Sequence, residues 1–271
     1  MRPDADTLDG LLRQGLALAR EAGVEILRVY REGFDVQEKA DRSPLTTADL
    51  AAHRCIVGGL STLQPHYPVL SEESDAIPFS ERAGWETYWL IDPLDGTREF
   101  IKRNDEFTVN IALVHDHRPI LGIVHAPALG TSYYALDGGT AYRQDDSDPP
   151  RPIHVRRLGS RRPVVAGARS HAGSRLGRFL ENVGPHKHIS MGSALKSCLV
   201  AEGTADLYVR LGPTSEWDTA AAQCVVEAAG GQVTDTAMNP LRYNTRDSLL
   251  NPEFFVFGAD SRDWSICLPA D

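Results

Sequence analysis

The pattern of apolar residues changes near the middle of this chain, and that change constrains the fold more than any other feature. The first part carries two helical patterns and then several consecutive strand patterns, whereas the last part alternates strands with helices. Between them, Gln144 to Pro152 is polar and rich in proline, which is typical of a linker. The sequence therefore predicts two lobes, at residues 1–148 and 149–271.

The fold class predicted from these patterns is α+β. In the first lobe, helices over 7–33 and from Thr46 to about Leu63 are expected to pack on a mostly antiparallel sheet. Its strands are predicted at 69–70, 88–91, 108–115, 120–125, 131–135 and 139–142. The second lobe is predicted to be a smaller α/β unit, with strands at 164–168, 188–190, 205–209 and 254–257 and helices at 174–182, 194–201 and 219–229.

The overall charge bears on the class of partner. The chain has 28 basic and 37 acidic residues and a net charge of −9, which disfavours a general binder of nucleic-acid polymers. A small anion remains compatible, because a local cationic pocket or a bound metal can reverse the field. No apolar run approaches the roughly 20 residues that span a bilayer, and the acidic start is unlike a signal peptide. We therefore expect a cytoplasmic protein; peripheral association with the inner membrane and the choice between monomer and homodimer stay open.

Acidic residues follow predicted strands at several places. The run from Trp89 to Thr97 ends a strand in Asp92-Pro93-Leu94-Asp95-Gly96-Thr97. Proline stiffens such a turn, and glycine lets the backbone come close to a ligand. Glu72 and Glu73 follow another short strand, and Glu216-Trp217-Asp218 precedes an alanine-rich helix.

If Glu72, Asp92, Asp95 and Asp218 converge, four like charges share one site. Two such charges 4 Å apart repel by about 1 kcal/mol in water and about 4 kcal/mol at an effective dielectric of 20. The cluster then requires protons or hard cations, and oxygen ligands favour Mg²⁺, Mn²⁺ or Ca²⁺ over zinc. A pair of Mg²⁺ ions suits hydrolysis of a phosphate ester.

Each acid also has a purely structural interpretation. Asp218 could cap the helix that follows it, and Asp49 lies three residues after Thr46, the spacing of a capping box. The two glutamates could be solvated loop charges, and Asp95-Gly96 an ordinary turn. Together, the acids favour the metal-site interpretation.

These residues resemble the inositol monophosphatase superfamily of Mg²⁺-dependent, lithium-sensitive phosphatases. The resemblance rests on 92–97, on Ser71-Glu72-Glu73 and on Trp217-Asp218. Residues 43–49, 98–104, 106–113, 192–203 and 250–252 narrow it to the bacterial CysQ-type 3′(2′),5′-bisphosphate nucleotidases. The family fold implied is a layered αβαβα sandwich with its site between the two halves.

The resemblance implies a role for each matching residue. The metal ligands would be Glu72, Asp92, Asp95, the main-chain carbonyl of Leu94, and Asp218. Two or three Mg²⁺ ions are implied, with Mn²⁺ as an alternative, Li⁺ or Ca²⁺ as inhibitors, and Glu73 near an additional ion or its waters. Asp49 would accept a hydrogen bond from Thr97. These two residues and Glu72 form the implied catalytic set.

Substrate binding is implied at the residues that follow. The N–H groups of Gly96 and Thr97 would hold the phosphate that is removed, beside Asp218. Ser193, Lys196 and Arg210 would contact the nucleotide and its 5′-phosphate, and His171 lies in a stretch that resembles a substrate loop. Lys196 could instead be a helix-surface lysine, and His171 a structural cap.

The function implied is removal of the 3′-phosphate of 3′-phosphoadenosine 5′-phosphate, and of its sulfated analogue as a further substrate, by a metal-activated water. AMP would be the product from the unsulfated nucleotide. The same chemistry on inositol monophosphate or fructose 1,6-bisphosphate is the first alternative. A non-catalytic metal- or nucleotide-binding module is the more distant one.

Overall fold

The computed structural model describes residues 1–38, 44–167, 175–258 and 262–269. It begins with a 28-residue helix, α1 (Ala5–Glu32), whose first turn is capped by Asp4. Strands β1 (Val36–Glu38) and β2 (Pro44–Thr46) form a small antiparallel pair, and α2 (Thr47–Leu60) follows directly. Within the described ranges, no helix combines the length and apolar character needed to cross a bilayer.

The first large sheet has seven strands in chain order. They are β3 (Val69–Ser71), β4 (Thr87–Asp95), β5 (Thr108–His115), β6 (Arg118–Ala126), β7 (Thr131–Leu136), β8 (Ala141–Asp145) and β9 (Arg151–Ile153). Only the first pair is parallel; every other pair is antiparallel. Two short helices interrupt this series, α3 (Phe79–Arg82) before β4 and α4 (Thr97–Ile101) after it.

The second large sheet has five strands. The elements that follow in the chain are β10 (Val164–Gly167), α5 (Arg175–Val183), β11 (Lys187–Ser190), α6 (Leu195–Ala201), β12 (Leu207–Arg210), α7 (Ala220–Ala228), β13 (Gly231–Asp235) and β14 (Phe254–Gly258). The strand order is β11-β10-β12-β14-β13, with the first two pairs parallel and the last two antiparallel.

Three hydrophobic clusters stack these elements into five layers. On one face of the seven-stranded sheet, Trp89 and Ile91 pack with α1 and α2. On the other face, Tyr88 and Leu90 share a core with α6, α7 and the second sheet. The far side of the second sheet packs on α5 and the residues near Trp264. The predicted αβαβα sandwich is confirmed, and the central strands are apolar on both faces because helices cover both.

One glycine permits a close helix–sheet contact between these layers. A Cβ on Gly122 of β6 would lie 2.2 Å from the carbonyl oxygen of Ala221 in α7. Any side chain there would therefore push α7 away from the sheet.

The predicted linker needs correction. Gln144 and Asp145 end β8, and Arg151 and Pro152 belong to β9, so both flanks of that stretch lie in the first sheet. The linker prediction was wrong because β9 is a short edge strand, and edge strands tolerate polar residues and proline. The chain passes to the second sheet only after Ile153. The division at 148/149 stays a prediction. Strand β13 was not predicted, because Gly-Gln-Val-Thr-Asp has few apolar residues.

Candidate active site

Strand β4 brings the central aspartate to the site. Asp92 is 1% exposed and pairs with Asn110 of β5, whereas Asp95 pairs with Thr108. Three steps along β4 thus match two along β5, which makes a bulge that bends the strand end. The N–H of Leu94 donates to Asp92 Oδ1 at 3.0 Å and fixes that carboxylate within the bend.

Two further acids reach Asp92 from other elements. Glu72 follows β3, whose parallel pairing with β4 places both strand ends at one edge of the sheet. Asp218 ends a 3₁₀ turn, Glu216–Asp218, on the chain between β12 and α7. One carboxylate oxygen from each of Glu72, Asp92 and Asp218 lies within 4.8 Å of the other two. We call these three residues the acid cluster.

Burial and mutual repulsion set the protonation of the acid cluster. Burial foremost, and then the charges of Glu72, Asp95 and Asp218, raise the pKa of Asp92 well above its usual range. Burial and the charge of Asp95 raise the pKa of Asp218 to about 8. At neutral pH, we therefore expect this cluster either to hold protons or to bind cations. Three clustered carboxylates are a donor set that fits a hard divalent cation.

Asp95 has a different environment from the acid cluster. Its Oδ2 accepts hydrogen bonds from the N–H of Ala194 at 2.6 Å and from Asn110 Nδ2 at 3.4 Å. Burial raises the pKa of Asp95, while the charge of Lys196 lowers it. Asp95 thus links the end of β4 to the segment before α6, and its predicted role as a metal ligand stays a prediction.

Asp49 performs both of the roles that the sequence left open. Its Oδ2 accepts from the N–H and the hydroxyl of Thr46, each at 2.7 Å, which completes the capping box of α2. Its Oδ1 accepts from the Thr97 hydroxyl at 3.2 Å. The same hydroxyl lies 3.3 Å from the carbonyl oxygen of Leu94. The capped helix therefore holds Thr97 against the turn that carries the aspartates.

Gly96 lies where the chain turns from β4 into α4. Its φ is +92°, and a Cβ there would lie 3.2 Å from the carbonyl oxygen of Glu106 and 3.3 Å from Ser193 Cβ. Both the backbone conformation and the close approach of two segments require glycine. The N–H groups of Gly96 and Thr97 consequently lie at the start of α4, beside Asp95.

A cavity of about 490 Å³ extends from this turn toward the second sheet. Four basic side chains contribute to its wall: Arg98, Lys102, Lys196 and Arg210. Lys196 Nζ donates to the carbonyl oxygen of Ser193 at 2.8 Å and lies 5.3 Å from the centre of the Tyr208 ring. Burial lowers the pKa of Lys196, and Asp95 opposes that effect. The cavity wall therefore carries four cations and four carboxylates, the latter from Asp95, Glu99, Glu106 and Asp218. We call the part with Asp95 and Asp218 the acidic end and the part with Lys196 and Arg210 the basic end.

The structure gathers most of the residues singled out in the sequence. The cavity wall includes Asp95, Gly96, Ser193, Lys196, Arg210 and Asp218. Glu73 follows Glu72 in the turn after β3, outside the three-residue acid cluster. His171 lies outside the described residues. The sequence analysis assigned no role to Arg98 or Lys102. Their four-residue spacing after the Asp-Gly-Thr turn could have indicated that both lie on one side of this helical turn.

Comparisons with known proteins agree with this geometry. A model of the inositol monophosphatase family matches residues 8–258. The 3′(2′),5′-bisphosphate nucleotidase CysQ of Escherichia coli (strain K12) is 50% identical over 248 residues, which cover 91% of this chain and 99% of that protein. CysQ of Haemophilus influenzae is 41% identical over 256 residues, with 94% and 95% covered.

Solved structures give the same result. CysQ from Bacteroides thetaiotaomicron, described as a bacterial member of the inositol monophosphatase family, superposes with a TM-score of 0.80 at 38% identity, covering 92% of this chain and 97% of that one. SuhB from Bartonella henselae superposes with a TM-score of 0.79 at 25% identity, covering 96% and 98%.

Proposed function

This chain belongs to the inositol monophosphatase family, and we propose that it is a metal-dependent 3′(2′),5′-bisphosphate nucleotidase. It hydrolyses the 3′-phosphate ester of 3′-phosphoadenosine 5′-phosphate, consuming one water and releasing AMP and inorganic phosphate. The sulfated analogue is proposed as a second substrate. We also propose a cytoplasmic location.

One observation carries this proposal: the acid cluster adjoins a cavity whose wall bears four cations. A phosphate placed at the acidic end needs divalent cations between it and the carboxylates. A second phosphate on the same molecule can then lie among the four cations of the wall, Arg98, Lys102, Lys196 and Arg210. A nucleoside bisphosphate supplies both groups, whereas an inositol monophosphate supplies only the first.

The metal ions are assigned to the oxygen ligands at the acidic end. Glu72, Asp92 and Asp218 would hold them, with Asp95 and the carbonyl oxygen of Leu94 as further ligands. Glu73 is proposed to lie near an additional ion or its waters. We propose two or three Mg²⁺ ions, with Mn²⁺ as a substitute and Li⁺ or Ca²⁺ as inhibitors. When bound, such ions neutralise charge on the phosphoryl oxygens and make water more acidic.

The chain's own residues orient the reacting groups. The Thr97 hydroxyl can donate to Asp49 Oδ1 or to the carbonyl oxygen of Leu94, and in either case its oxygen keeps lone pairs that can accept a hydrogen bond from the attacking water. The N–H groups of Gly96 and Thr97, at the start of α4, are the proposed donors to the phosphate. These contacts would favour attack in line with the ester bond, opposite the leaving 3′-oxygen.

The other end of the cavity selects the substrate. Lys196 and Arg210 are proposed to contact the 5′-phosphate, with Ser193 beside them and His171 contributing from outside the described residues. Asp218 lies on the cavity wall as well as in the acid cluster, so it is proposed to touch both metal and substrate.

The deciding experiment is phosphate release in Mg²⁺ from three substrates: 3′-phosphoadenosine 5′-phosphate, inositol 1-phosphate and fructose 1,6-bisphosphate. Each is assayed with and without Li⁺. We expect a large preference in kcat/KM for the nucleotide, suppressed by Li⁺. Preference for a sugar phosphate would retain the metal chemistry and overturn the nucleotide assignment. Nucleotide binding in a calorimeter without phosphate release would indicate a non-catalytic binding module.

A further inference from the structure

A buried arginine lies near the acid cluster without belonging to it. Arg82 is the last residue of α3, between the Glu72 turn and β4, and it is 2% exposed. Its Nη1 donates to Asn244 Oδ1 at 2.5 Å and to the carbonyl oxygen of Arg246 at 3.1 Å. Its Nη2 donates to the carbonyl oxygen of Asp247. The guanidinium thus fastens the loop between β13 and β14 to α3, the short helix before β4.

Asn244 continues this chain of contacts toward Asp218. Its Nδ2 donates back to the carbonyl oxygen of Arg82 at 2.6 Å, and its own N–H donates to Glu216 Oε2 at 2.7 Å. Asn244 is buried and has a φ of +53°. Glu216 is buried too and begins the single 3₁₀ turn that ends at Asp218. We call Arg82, Asn244 and Glu216 the polar clamp.

Asn251 fastens the same turn from its other side. Its Nδ2 lies 2.6 Å from the carbonyl oxygen of Ser215 and 3.0 Å from Thr219 Oγ1. The N–H of Ser215 donates in turn to Asp218 Oδ2 at 2.9 Å. The backbone that carries Asp218 is therefore held at both of its ends.

The acid cluster creates a force that such fastening must resist. Two of its carboxylates come from the first sheet and its edge, whereas Asp218 comes from the connection between β12 and α7. Metal binding requires ionised carboxylates, and two such charges 4 Å apart repel by about 4 kcal/mol at an effective dielectric of 20. A mobile Asp218 turn would move away from that repulsion, and the three oxygens would no longer converge on a cation.

We infer that the polar clamp is a positioning device, which holds Asp218 at metal-binding distance from Glu72 and Asp92. Arg82, Asn244 and Glu216 belong neither to the acid cluster nor to the cavity wall, so they would act through the turn of residues 216–218. The inference rests on the metal site of the proposed function.

The test is a Mn²⁺ titration of the purified protein, with free Mn²⁺ counted by electron paramagnetic resonance. Arg82→Lys keeps the charge and removes the planar fork. Asn244→Gly keeps the left-handed backbone and the N–H to Glu216 while it removes the side-chain amide. Each variant should bind Mn²⁺ about 10–100-fold more weakly, the usual cost of losing a group that orients a metal ligand. At saturating metal, KM for the nucleotide should stay within about twofold of the wild-type value.

Arg156→Lys is the matched control. Arg156 makes a two-pronged ion pair with buried Asp206, just before β12, at the end of that strand away from Arg210. This control should lose thermal stability in EDTA as Arg82→Lys does, yet bind Mn²⁺ with wild-type affinity. If Arg82→Lys and Asn244→Gly also bind Mn²⁺ with wild-type affinity, the clamp serves stability alone and the inference is wrong.

Asp92→Asn separates this failure from a failure of the metal site. In a correct metal site, it should lose Mn²⁺ binding more severely than either clamp variant. Equal Mn²⁺ binding by Asp92→Asn and the wild type would overturn the metal assignment, and the role of the clamp with it. If Arg82→Lys does not fold, Asn244→Gly alone decides the matter.

Discussion

The two ends of the active-site cavity are built on opposite principles. At the acidic end, carboxylates from separate elements converge, and burial and their mutual charge raise the pKa of Asp92 and Asp218. At the basic end, Lys196 and Arg210 already donate to main-chain carbonyl oxygens at 2.8 Å and 2.7 Å, so both cations are anchored. The difference indicates a division of labour: the acidic end should control turnover, and the basic end should control which substrate binds.

The largest expected effect comes from the acidic end. Asp92→Asn keeps the side-chain shape and removes one charge from the acid cluster, which weakens metal binding. We expect kcat for 3′-phosphoadenosine 5′-phosphate to fall about 10²–10³-fold, the scale for losing one preorganised group that stabilises charge in a transition state. Steady-state kinetics at saturating Mg²⁺ and a circular dichroism spectrum measure activity and fold. Near-normal kcat would contradict the division of labour at its first step.

We expect His125, which lies at neither end, to limit the acid side of the pH range for these comparisons. Its Nδ1 is 3.0 Å from Ser132 Oγ, and α1 packs so closely that a Cβ on Gly23 would lie 2.8 Å from its Nε2. Burial lowers the pKa of His125 to about 4. In the unfolded chain this histidine binds a proton near pH 6.5, whereas in the folded chain it does so only near pH 4. The free energy of unfolding therefore falls as the pH drops from about 6.5 to about 4.

This loss amounts to about 3 kcal/mol once the pH is below both pKa values. Glutamine does not titrate in this range. Between pH 7 and pH 4, the unfolding free energy measured with urea should therefore fall less in His125→Gln than in the wild type, by about 3 kcal/mol. The exposed His66→Gln is the matched control and should follow the wild type. Equal pH dependence in His125→Gln and wild type would show that another group limits the range.

At the basic end, Lys196→Ala tests selection. A hydrogen bond to a charged group contributes about 1.5–3 kcal/mol, which corresponds to a rise of about 10–100-fold in KM for the nucleotide bisphosphate. The value of kcat should change little, and so should KM for inositol 1-phosphate, which lacks the second phosphate. Lys187→Ala alters an exposed lysine outside the cavity and serves as control. A fall in kcat with unchanged KM would place Lys196 in the chemistry and break the comparison.

Sequence reasoning found the acids of the site but not the contacts that hold them in place, for physical reasons. The acids were found because strand-terminal carboxylates and the Asp-Pro-Leu-Asp-Gly-Thr run are local patterns, and local patterns are legible in one sequence. The polar clamp was not found, because Arg82 and Asn244 meet across 162 positions in the chain and neither belongs to a recognisable motif. The contact between Asp95 and Ala194 is hidden in the same way, across 99 positions.

The smallest expected effect concerns the approach of the substrate. Arg98 of α4 and Lys102, the residue that follows α4, are exposed at the cavity wall, in a chain whose net charge is −9. Their local field should attract a bisphosphate and raise its association rate, and salt should screen that attraction. The double variant Arg98→Gln/Lys102→Gln should lower kcat/KM for the nucleotide about 3–10-fold at low ionic strength.

Added salt separates attraction at a distance from direct contact. At about 1 M salt the Debye length falls to about 3 Å, so the double variant and the wild type should converge in kcat/KM. Arg31→Gln/Arg118→Gln removes the same charge from exposed positions outside the cavity and should follow the wild type throughout. A deficit that persists at high salt would mean that α4 touches the bound nucleotide, and selection would then extend from Lys196 across to the first sheet.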